Sequence, residues 1–303
     1  MLRGTLLYLA KQDNIRRFVT HNRLARSSAR RFVAGETLDE ALQATRALNQ
    51  RGCSVSLDHL GENVNDADEA RSAANDYIQI LDAIKQAQLN ANISIKLTAL
   101  GLDIEAALCE ENVRRVLDRA RSYNIFVRVD MEGAAYTERT LNLVAKLRQD
   151  YEGMGTVIQS YLYRSAKDVE NLIASQTRVR LVKGAYKEPP EIAYPRKADV
   201  DRNYEQLMRL LLAHGTYPAI ATHDPRIIQE ARTFAAANAI DKARFEFQML
   251  YGIRRDLQKQ LISDGYNLRI YVPYGTQWYP YLTRRMAERP ANLLFVLSNA
   301  ARG

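Results

Sequence analysis

The sequence predicts an α/β fold of the (β/α)8 TIM-type barrel, preceded by additional N-terminal helices. Three observations support this: eight short β-branched or apolar runs occur after residue 52, longer amphipathic stretches separate them, and no phosphate-binding glycine fingerprint follows them. Alternation of this kind produces parallel strands joined by right-handed crossovers, and eight such units in about 250 residues suit a closed barrel. An open doubly wound sheet is the structural alternative.

The predicted strands are residues 54–59, 93–98, 126–131, 157–161, 178–183, 219–222, 245–249 and 268–272. The clearest amphipathic helices between them are residues 67–88, 105–122, 137–149 and 199–214. The glycine cluster Gly153-Met154-Gly155 lacks a third glycine and precedes a predicted strand, which disfavours a dinucleotide-binding open sheet.

A further helix is predicted before the first strand. Thr37 and Glu40 have the spacing of a capping box, so a helix is expected from Glu40 to about Asn49. Helical pattern continues into this region without a linker. We therefore divide the chain into an N-terminal helical segment, residues 1–52, packed on a catalytic barrel, residues 53–303.

Composition excludes several classes of protein. The 303 residues are 47% hydrophobic and 26% charged, which is ordinary for a globular protein and argues against disorder. Two cysteines are too few for a disulfide framework, no apolar run approaches the ~20 residues that span a bilayer, and the four histidines lack metal-ligand spacing. We expect a soluble protein of a reducing compartment, the cytoplasm, with no bound metal.

The net charge of +8 is concentrated at the N-terminus, since residues 1–31 carry +7 of it. A basic body that binds nucleic acid therefore does not fit. A secretory signal fails because the apolar run at residues 6–10 is short and is followed by Lys11. A mitochondrial transit peptide fits the Arg-rich, acid-poor composition, whereas continuity with the next helix favours permanent basic helices. Their basic face either contacts an anionic lipid surface or is simply solvated.

Polar residues near the ends of the second and third strands are the first site candidates, because barrel chemistry lies at the C-terminal ends of strands. Lys96 lies in the second predicted strand, and Asp130 and Glu132 end the third on one face. We expect Lys96 to pair with Asp130 across neighbouring strands. A catalytic role and a structural ion pair at the barrel mouth both explain this arrangement.

The fifth strand ends with two cations, Arg180 and Lys183, which require anionic partners inside a barrel. Gly184 follows them and allows close backbone approach, as a bulky planar ligand would need. After the sixth strand, His223 taken alone is better explained as a turn histidine than as a catalytic base.

The last unit combines Tyr271 with a helical segment that holds Tyr281, Arg284, Arg285 and Glu288. Helical spacings of three and four residues place the ring, both guanidinium groups and the carboxylate in one patch. Adjacent arginines suit a small carboxylate ligand. A solvated charged face is the alternative, and the position after the final strand favours ligand binding.

These segments together resemble the proline dehydrogenase family, most closely its one-domain bacterial enzymes. The motifs that carry the resemblance are residues 30–37 (RRFVAGET), 57–62 (LDHLGE), 93–100 (ISIKLTAL), 180–186 (RLVKGAY), 245–250 (FEFQML), 271–275 (YVPYG) and 281–288 (YLTRRMAE). They extend over nearly the whole chain and fall at consistent barrel positions. One local difference is Lys187, where some relatives carry an aromatic residue that packs on the flavin.

The resemblance implies an FAD-containing barrel that oxidises L-proline to Δ1-pyrroline-5-carboxylate, by hydride transfer to the flavin, and passes the electrons to a quinone. It implies that Arg284 and Arg285 bind the proline carboxylate and that Lys96 adds charge. Glu288 would support Arg285, and Glu62 would pair with Arg284 as a gate over the substrate.

The resemblance also implies two sets of wall residues. Those implied around the substrate ring are Asp130, Leu181, Tyr186, Tyr271 and Tyr281. Those implied at the flavin are Asp130, Gln159, Arg180, Lys183, Gly184, Ala185, Thr222, His223, Gln248 and Glu288, with Arg180 beside the reactive nitrogen. The catalytic set is Lys96, Asp130, Tyr271, Arg284 and Arg285.

Two other functions compete with proline oxidation. A Schiff-base lyase or aldolase would use Lys96 or Lys183 as the nucleophile. In a non-catalytic alternative, the basic N-terminus binds lipid or nucleic acid beside an inert barrel. The preferred hypothesis expects L-proline and a quinone as partners, no nucleic acid, and peripheral contact with the inner face of the cell membrane. It specifies no oligomeric state.

Overall fold

The computed structural model describes residues 31–61 and 64–288, with residues 284–288 described by their backbone alone. In this part of the chain, eight parallel strands form a closed barrel in sequence order, as predicted. The strands are β1 (Ser54–His59), β2 (Ala91–Ile95), β3 (Val127–Val129), β4 (Met154–Gln159), β5 (Arg178–Val182), β6 (Ala219–Ala221), β7 (Glu246–Leu250) and β8 (Leu268–Tyr274). Pairing of β8 with β1 closes the sheet, with Val55 opposite Ile270.

Helices separate the strands along the chain. They are α1 (Leu38–Asn49), α2 (Ala67–Gln86), α3 (Ala106–Ser122), α4 (Ala134–Leu147), α5 (Ser165–Ala174), α6 (Lys197–His214), α7 (Pro225–Ala237), α8 (Arg255–Ser263) and α9 (Trp278–Glu288), with a 3-10 turn at Lys242–Arg244. Their buried faces and the outward faces of the strands form one apolar core.

The capping box predicted for α1 is present. The Thr37 hydroxyl accepts a hydrogen bond from the backbone N–H of Glu40, whose carboxylate accepts from the N–H of Thr37. Helix α1 packs against both β1 and β8 and contributes Ala41 and Leu48 to the main core. It therefore fills the outer ring beside the closing strand pair, and α9 contributes Tyr281 to the barrel mouth.

Strand β2 ends earlier than the sequence predicts, at Ile95, so Lys96 follows the strand and does not lie in it. The backbone turns directly afterwards, with the N–H groups of Leu100 and Leu102 donating to the carbonyl of Leu97 at 3.1 and 3.0 Å. This turn consumes the hydrogen-bonding groups that a longer strand would have needed.

The expectation that Gly153-Met154-Gly155 precedes a strand is wrong, because β4 begins at Met154 and contains Gly155. A Cβ atom at Gly155 would lie 2.3 Å from the carbonyl oxygen of Arg178 and 2.9 Å from Nη1 of Arg128. The glycine is therefore required by the close approach of the Arg178 carbonyl on the neighbouring strand β5, with the Arg128 side chain also close.

Charged side chains lie inside the lower half of the barrel, below the mouth. Arg128 donates from Nη1 to the carbonyls of Thr156 and Arg178 at 2.9 and 2.6 Å. Arg269 donates from Nε to both carboxylate oxygens of the buried Glu246 at 2.9 and 3.1 Å. Burial alone would raise the pKa of Glu246, but Arg269, with help from Gln248 and Arg128, leaves the pKa below its usual value.

Candidate active site

A cavity of about 600 Å³ opens at the C-terminal ends of the strands, where barrel enzymes hold their active sites. Its volume lies within the range of small-molecule and cofactor pockets. Every strand of the barrel contributes at least one lining residue, either within the strand or directly after its end. The contributing residues, in strand order, are Asp58, Lys96, Asp130, Gln159, Arg180, Ala221, Gln248 and Tyr271.

Arg180 reaches across the barrel interior at the floor of this cavity. Its Nε donates to Oε1 of Gln248 at 2.6 Å, and its Nη1 donates to Oδ1 of Asp130 at 2.6 Å. Nη2 donates to the hydroxyls of Ser94 and Ser56 at 3.0 and 3.3 Å. These contacts tie β5 to β1, β2, β3 and β7, and they supply the anion that the sequence requires for Arg180.

Tyr271 completes the arrangement around Arg180. Its ring centroid lies 5.1 Å from the guanidinium carbon, and its hydroxyl donates to Oδ2 of Asp130 at 2.8 Å. Burial raises the pKa of Tyr271 well above its usual value, with Asp130 adding to the effect. The phenol therefore keeps its proton and acts as a donor.

The predicted partner of Lys96 is wrong. Lys96 forms its salt bridge with Asp58, while Asp130 is occupied by Arg180 and Tyr271. Both Lys96 and Asp58 are buried and line the cavity. Burial raises the pKa of Asp58, and the charge of Lys96 opposes that rise.

Asp58 is a site residue that the sequence analysis missed. Residues of a strand alternate between its two faces, so Asp58 shares the inward face of β1 with Ser56, which contacts Arg180 inside the barrel. The signal for Asp58 in the sequence is an acidic residue near the C-terminal end of a strand, on the face that points into the barrel.

Gly184 lines the cavity, and within the protein its small size is required by a neighbouring aromatic ring. Its φ is +115°, and a Cβ atom there would lie 2.3 Å from the ring of Tyr161. The ring of Tyr161, in the neighbouring loop, therefore excludes a side chain at this position, and the close approach of a planar ligand to Gly184 stays a prediction. Tyr161 also donates from its hydroxyl to Glu188 at 3.2 Å.

Lys183 meets two carboxylates at one side of the cavity. Its Nζ lies 2.6 Å from Oδ1 of Asp201 and 3.3 Å from Oδ2 of Asp224. Burial alone would raise the pKa of each carboxyl, but Lys183 and the cations beside it leave both values lowered. Lys197 also pairs with Asp201, and Arg226 lies 3.7 Å from both carboxylates.

The cavity brings together most of the residues that the sequence singles out. Those that line it are Lys96, Asp130, Gln159, Arg180, Lys183, Gly184, Ala185, Tyr186, Thr222, His223, Gln248, Tyr271 and Tyr281. Within this set, His223 accepts a hydrogen bond at Nε2 from the backbone N–H of Leu250 at 2.9 Å, in keeping with a turn histidine.

Leu181 is not brought to the cavity. It alternates with Arg180 along β5, so it points away from the interior and is fully buried in the main core. Strand alternation therefore opposes the predicted contact with the substrate ring.

Four predicted residues lie beyond what the structure describes. Glu62 is outside the described residues, so its pairing with Arg284 as a gate stays a prediction. Arg284, Arg285 and Glu288 belong to α9 by their backbone, and their side chains are outside the described part. The basic segment before residue 31 is also outside it.

Comparison with known proteins gives a consistent set of matches. The family model for proline dehydrogenase matches residues 41–298. Proline dehydrogenase 1 of Bacillus subtilis is 42% identical over 297 residues, which cover 98% of both chains. The proline dehydrogenase of Deinococcus radiodurans is 44% identical over 280 residues, covering 91% of this chain and 90% of that protein.

A solved structure of proline utilization A (PutA) from Bdellovibrio bacteriovorus, inactivated by N-propargylglycine, is also similar. It matches with a TM-score of 0.83 and 29% identity over 92% of this chain and 34% of that one. This chain therefore spans about a third of the PutA chain that it resembles.

Proposed function

This chain belongs to the proline dehydrogenase family, and we propose that it oxidises L-proline to Δ1-pyrroline-5-carboxylate with FAD bound in the barrel-mouth cavity and a quinone as electron acceptor. The observation that carries the proposal is the cavity floor, where Arg180, Asp130 and Tyr271 form one hydrogen-bonded group. A family match over most of the chain supports the reaction, and a cavity at the barrel mouth large enough for a cofactor supports its location there.

The residues present fit FAD in two respects. A guanidinium has five N–H donors, and Arg180 uses four of them on Gln248, Asp130, Ser94 and Ser56 among the described residues. One N–H on Nη1 is therefore available for a ligand acceptor. The cavity also has apolar and aromatic walls in addition to its polar groups, as a flat, partly apolar ring system requires.

The second respect is charge at the side of the cavity. Lys183 and Lys197 both line it, next to Asp224, which caps the N-terminus of α7. Lys183, Lys197 and Arg226 outnumber the carboxylates of Asp201 and Asp224 there, and such an excess of positive charge suits the phosphates of a dinucleotide. When bound, FAD supplies the two-electron oxidant that takes a hydride from the ring carbon beside the proline nitrogen.

The chain's own residues then hold the substrate and shield it. Lys96 presents its charge at the cavity wall, and we assign the proline carboxylate to Lys96 together with Arg284 and Arg285. Tyr271 and Tyr281 form an aromatic part of the cavity wall, next to α9. We assign to them the exclusion of water from the reacting carbon of the substrate. Arg180 lines the cavity, and its positive charge would stabilise the negative charge that a flavin gains on reduction.

The electron acceptor and the membrane contact are further parts of the proposal. We assign a quinone as the electron acceptor because the family resemblance implies it. We assign the peripheral contact with anionic lipid to the basic residues before residue 31. Among the described helices, none has the length and apolar character needed to cross a bilayer.

The geometry does not favour a Schiff-base lyase. A lysine nucleophile must lose its proton, and both candidate lysines are held in ion pairs, Lys96 with Asp58 and Lys183 with Asp201. A carboxylate in contact with a lysine stabilises its charged form and therefore opposes its use as a nucleophile.

The visible spectrum of the purified protein, before and after anaerobic addition of L-proline, tests the proposal. Flavin bands that bleach with proline are the expected result. Bands that persist would assign another substrate to the flavin site. A colourless protein that does not bind added FAD would contradict the proposal.

The carboxylate assignment has its own test. Arg284→Met and Arg285→Met should each raise KM for proline at least tenfold, because a charge-assisted hydrogen bond contributes about 1.5–3 kcal/mol. Arg209→Met, at an exposed arginine paired with Glu230 on the helical surface, is the matched control and should leave KM unchanged. An unchanged KM in both cavity variants would remove these arginines from the site.

A further inference from the structure

The pair formed by Lys96 and Asp58 is buried at the wall of the cavity. The lysine is 6% exposed and the aspartate 1% exposed, and both line the cavity. Oδ1 of Asp58 accepts from Nζ of Lys96. Oδ2 is buried and makes no hydrogen bond within the part of the chain that the structure describes. The carboxylate of Asp58 is therefore directed mainly to this one lysine.

A buried ammonium group needs a close counter-charge. Burial disfavours the charged form of lysine, whereas a carboxylate in contact restores it. Leaving one member of a buried pair without its partner is costly, because the remaining charge has lost both water and its counter-ion. The charge that Lys96 offers to a ligand therefore depends on a partner.

Among the residues that the structure describes, Asp130, Tyr77 and Tyr271 are the other titratable groups that act on the pair, and none of them replaces Asp58. Asp130 is committed to Arg180 at 2.6 Å and to Tyr271 at 2.8 Å. Tyr77 of α2 lies behind the pair, and burial raises its pKa beyond the usual range of a phenol. Burial likewise raises the pKa of Tyr271. Both phenols are neutral at physiological pH, so they supply no counter-charge.

We propose that Asp58 is a positioning residue for substrate binding: it keeps Lys96 protonated and holds its Nζ at the cavity wall, where that charge receives the carboxylate of a small anionic substrate. The identity of that substrate as proline rests on the proposed function. The action of Asp58 on Lys96 does not, because it belongs to the protein without substrate.

The first test measures Lys96 directly. The purified protein and its Asp58→Asn variant are treated briefly with acetic anhydride at a series of pH values, and acetylation of Lys96 is followed by mass spectrometry. Acetylation requires the neutral amine. In the variant its onset should move about one pH unit or more towards lower pH, because the neighbouring opposite charge is lost.

Two controls accompany this test. Asp130→Asn removes a carboxylate of the same site that does not contact Lys96, and it should shift the onset by less than Asp58→Asn does. Lys85, on the outside of α2, serves as the internal reference for reagent strength. An onset for Lys96 that is the same in Asp58→Asn as in the unchanged protein would overturn the proposal.

A second test uses substrate kinetics and does not depend on the folding of the single aspartate variant. Lys96→Met should lower kcat/KM for proline about tenfold or more. Removing both members of a buried ion pair is tolerated better than removing one. If Asp58 acts through Lys96, the double variant Asp58→Asn/Lys96→Met should match Lys96→Met within about twofold.

The outcomes separate the two proposals. A double variant far less active than Lys96→Met would give Asp58 a role of its own and contradict the positioning role. Absence of proline turnover in the unchanged protein would contradict the proposed function, and the acetylation test would still decide the action of Asp58 on Lys96.

Discussion

Arg180 donates to Asp130 across the interior of the barrel, from the end of β5 to the residue after β3, with 2.6 Å between Nη1 and Oδ1. The pair links two strands that are not neighbours in the sheet. It also commits the carboxylate that would otherwise be available to Lys96. Arg180 with Asp130 and Lys96 with Asp58 are therefore two separate buried pairs at the cavity.

Replacing Asp130 by asparagine should lower kcat/KM for proline by roughly 10- to 100-fold. The change removes a charge-assisted bond to Arg180 and weakens the one from Tyr271, each worth about 1.5–3 kcal/mol. Steady-state kinetics with an artificial electron acceptor measures it. Asp168→Asn is the matched control, since this buried carboxylate pairs with Arg164 on α5, away from the cavity. Equal losses in both variants would reduce the Asp130 effect to general destabilisation.

Lys96 pairs with Asp58 and not with the predicted Asp130, and this difference shows which contacts can be predicted from the sequence. Alternating patterns locate all eight strands, and they place Lys96 and Asp130 at the ends of neighbouring ones. By strand register these two residues lie opposite each other, since Ile95 pairs with Val129. Arg180 changes the outcome because it reaches Asp130 from β5, two strands away in the barrel. A contact across a closed barrel leaves no periodic signal in the chain.

The same limit applies to Gly184, and Leu181 shows a different one. A glycine beside two cations indicates close approach, but only the fold shows that Tyr161 makes it. For Leu181, two signals in the sequence conflict. Strand alternation counted from Arg180 directs this side chain outward, whereas the family resemblance implies a contact with the substrate ring. The side chain lies in the main core, as alternation requires.

Gly184→Ala should destabilise the protein and impair cofactor retention. A side chain at φ +115° costs about 1–3 kcal/mol, and the added methyl group would also collide with Tyr161. Thermal unfolding and flavin content of the purified variant measure the two effects. Gly153→Ala is the control, because a Cβ atom there meets nothing within 4 Å. Similar unfolding temperatures for the two variants would argue against the contact with Tyr161.

Glu188 fastens the loop after β5 to the start of α4. Its Oε1 accepts from the backbone N–H of Ala134 at 2.8 Å and from the Tyr161 hydroxyl at 3.2 Å. Glu188→Ala should cost about 0.5–2 kcal/mol, as for loss of a helix cap, and should speed proteolysis within residues 183–196. Glu191→Ala, at an exposed glutamate of the same loop, is the control. Limited proteolysis followed by mass spectrometry distinguishes the two variants, and equal cleavage rates would contradict the fastening role.

Thr37→Ala should lower the free energy of unfolding by about 1 kcal/mol without affecting the kinetics of folded protein. The change deletes the hydroxyl that accepts from the N–H of Glu40 at the start of α1. Glu105→Ala is the matched control, because Glu105 precedes α3 without a side-chain capping bond. Urea unfolding compares them, and an unaltered midpoint for Thr37→Ala would show that the capping box adds nothing measurable.

Glu246 should make stability depend on pH in the acid range. Its pKa in the folded protein lies below the usual 4.5 because Arg269, together with Gln248 and Arg128, outweighs the effect of burial. A carboxyl with a depressed native pKa contributes stability that is complete above its unfolded pKa and is lost as pH falls through the native value. In Glu246→Gln that contribution is absent at all pH values, so its urea midpoint should be lower near neutrality and should fall less between about pH 5 and pH 3.

Glu230→Gln, in an exposed pair with Arg209, should leave the pH dependence unchanged because surface pairs contribute little. If Glu246→Gln loses stability towards acid as steeply as the unchanged protein, the buried pair with Arg269 is not the source of the acid sensitivity.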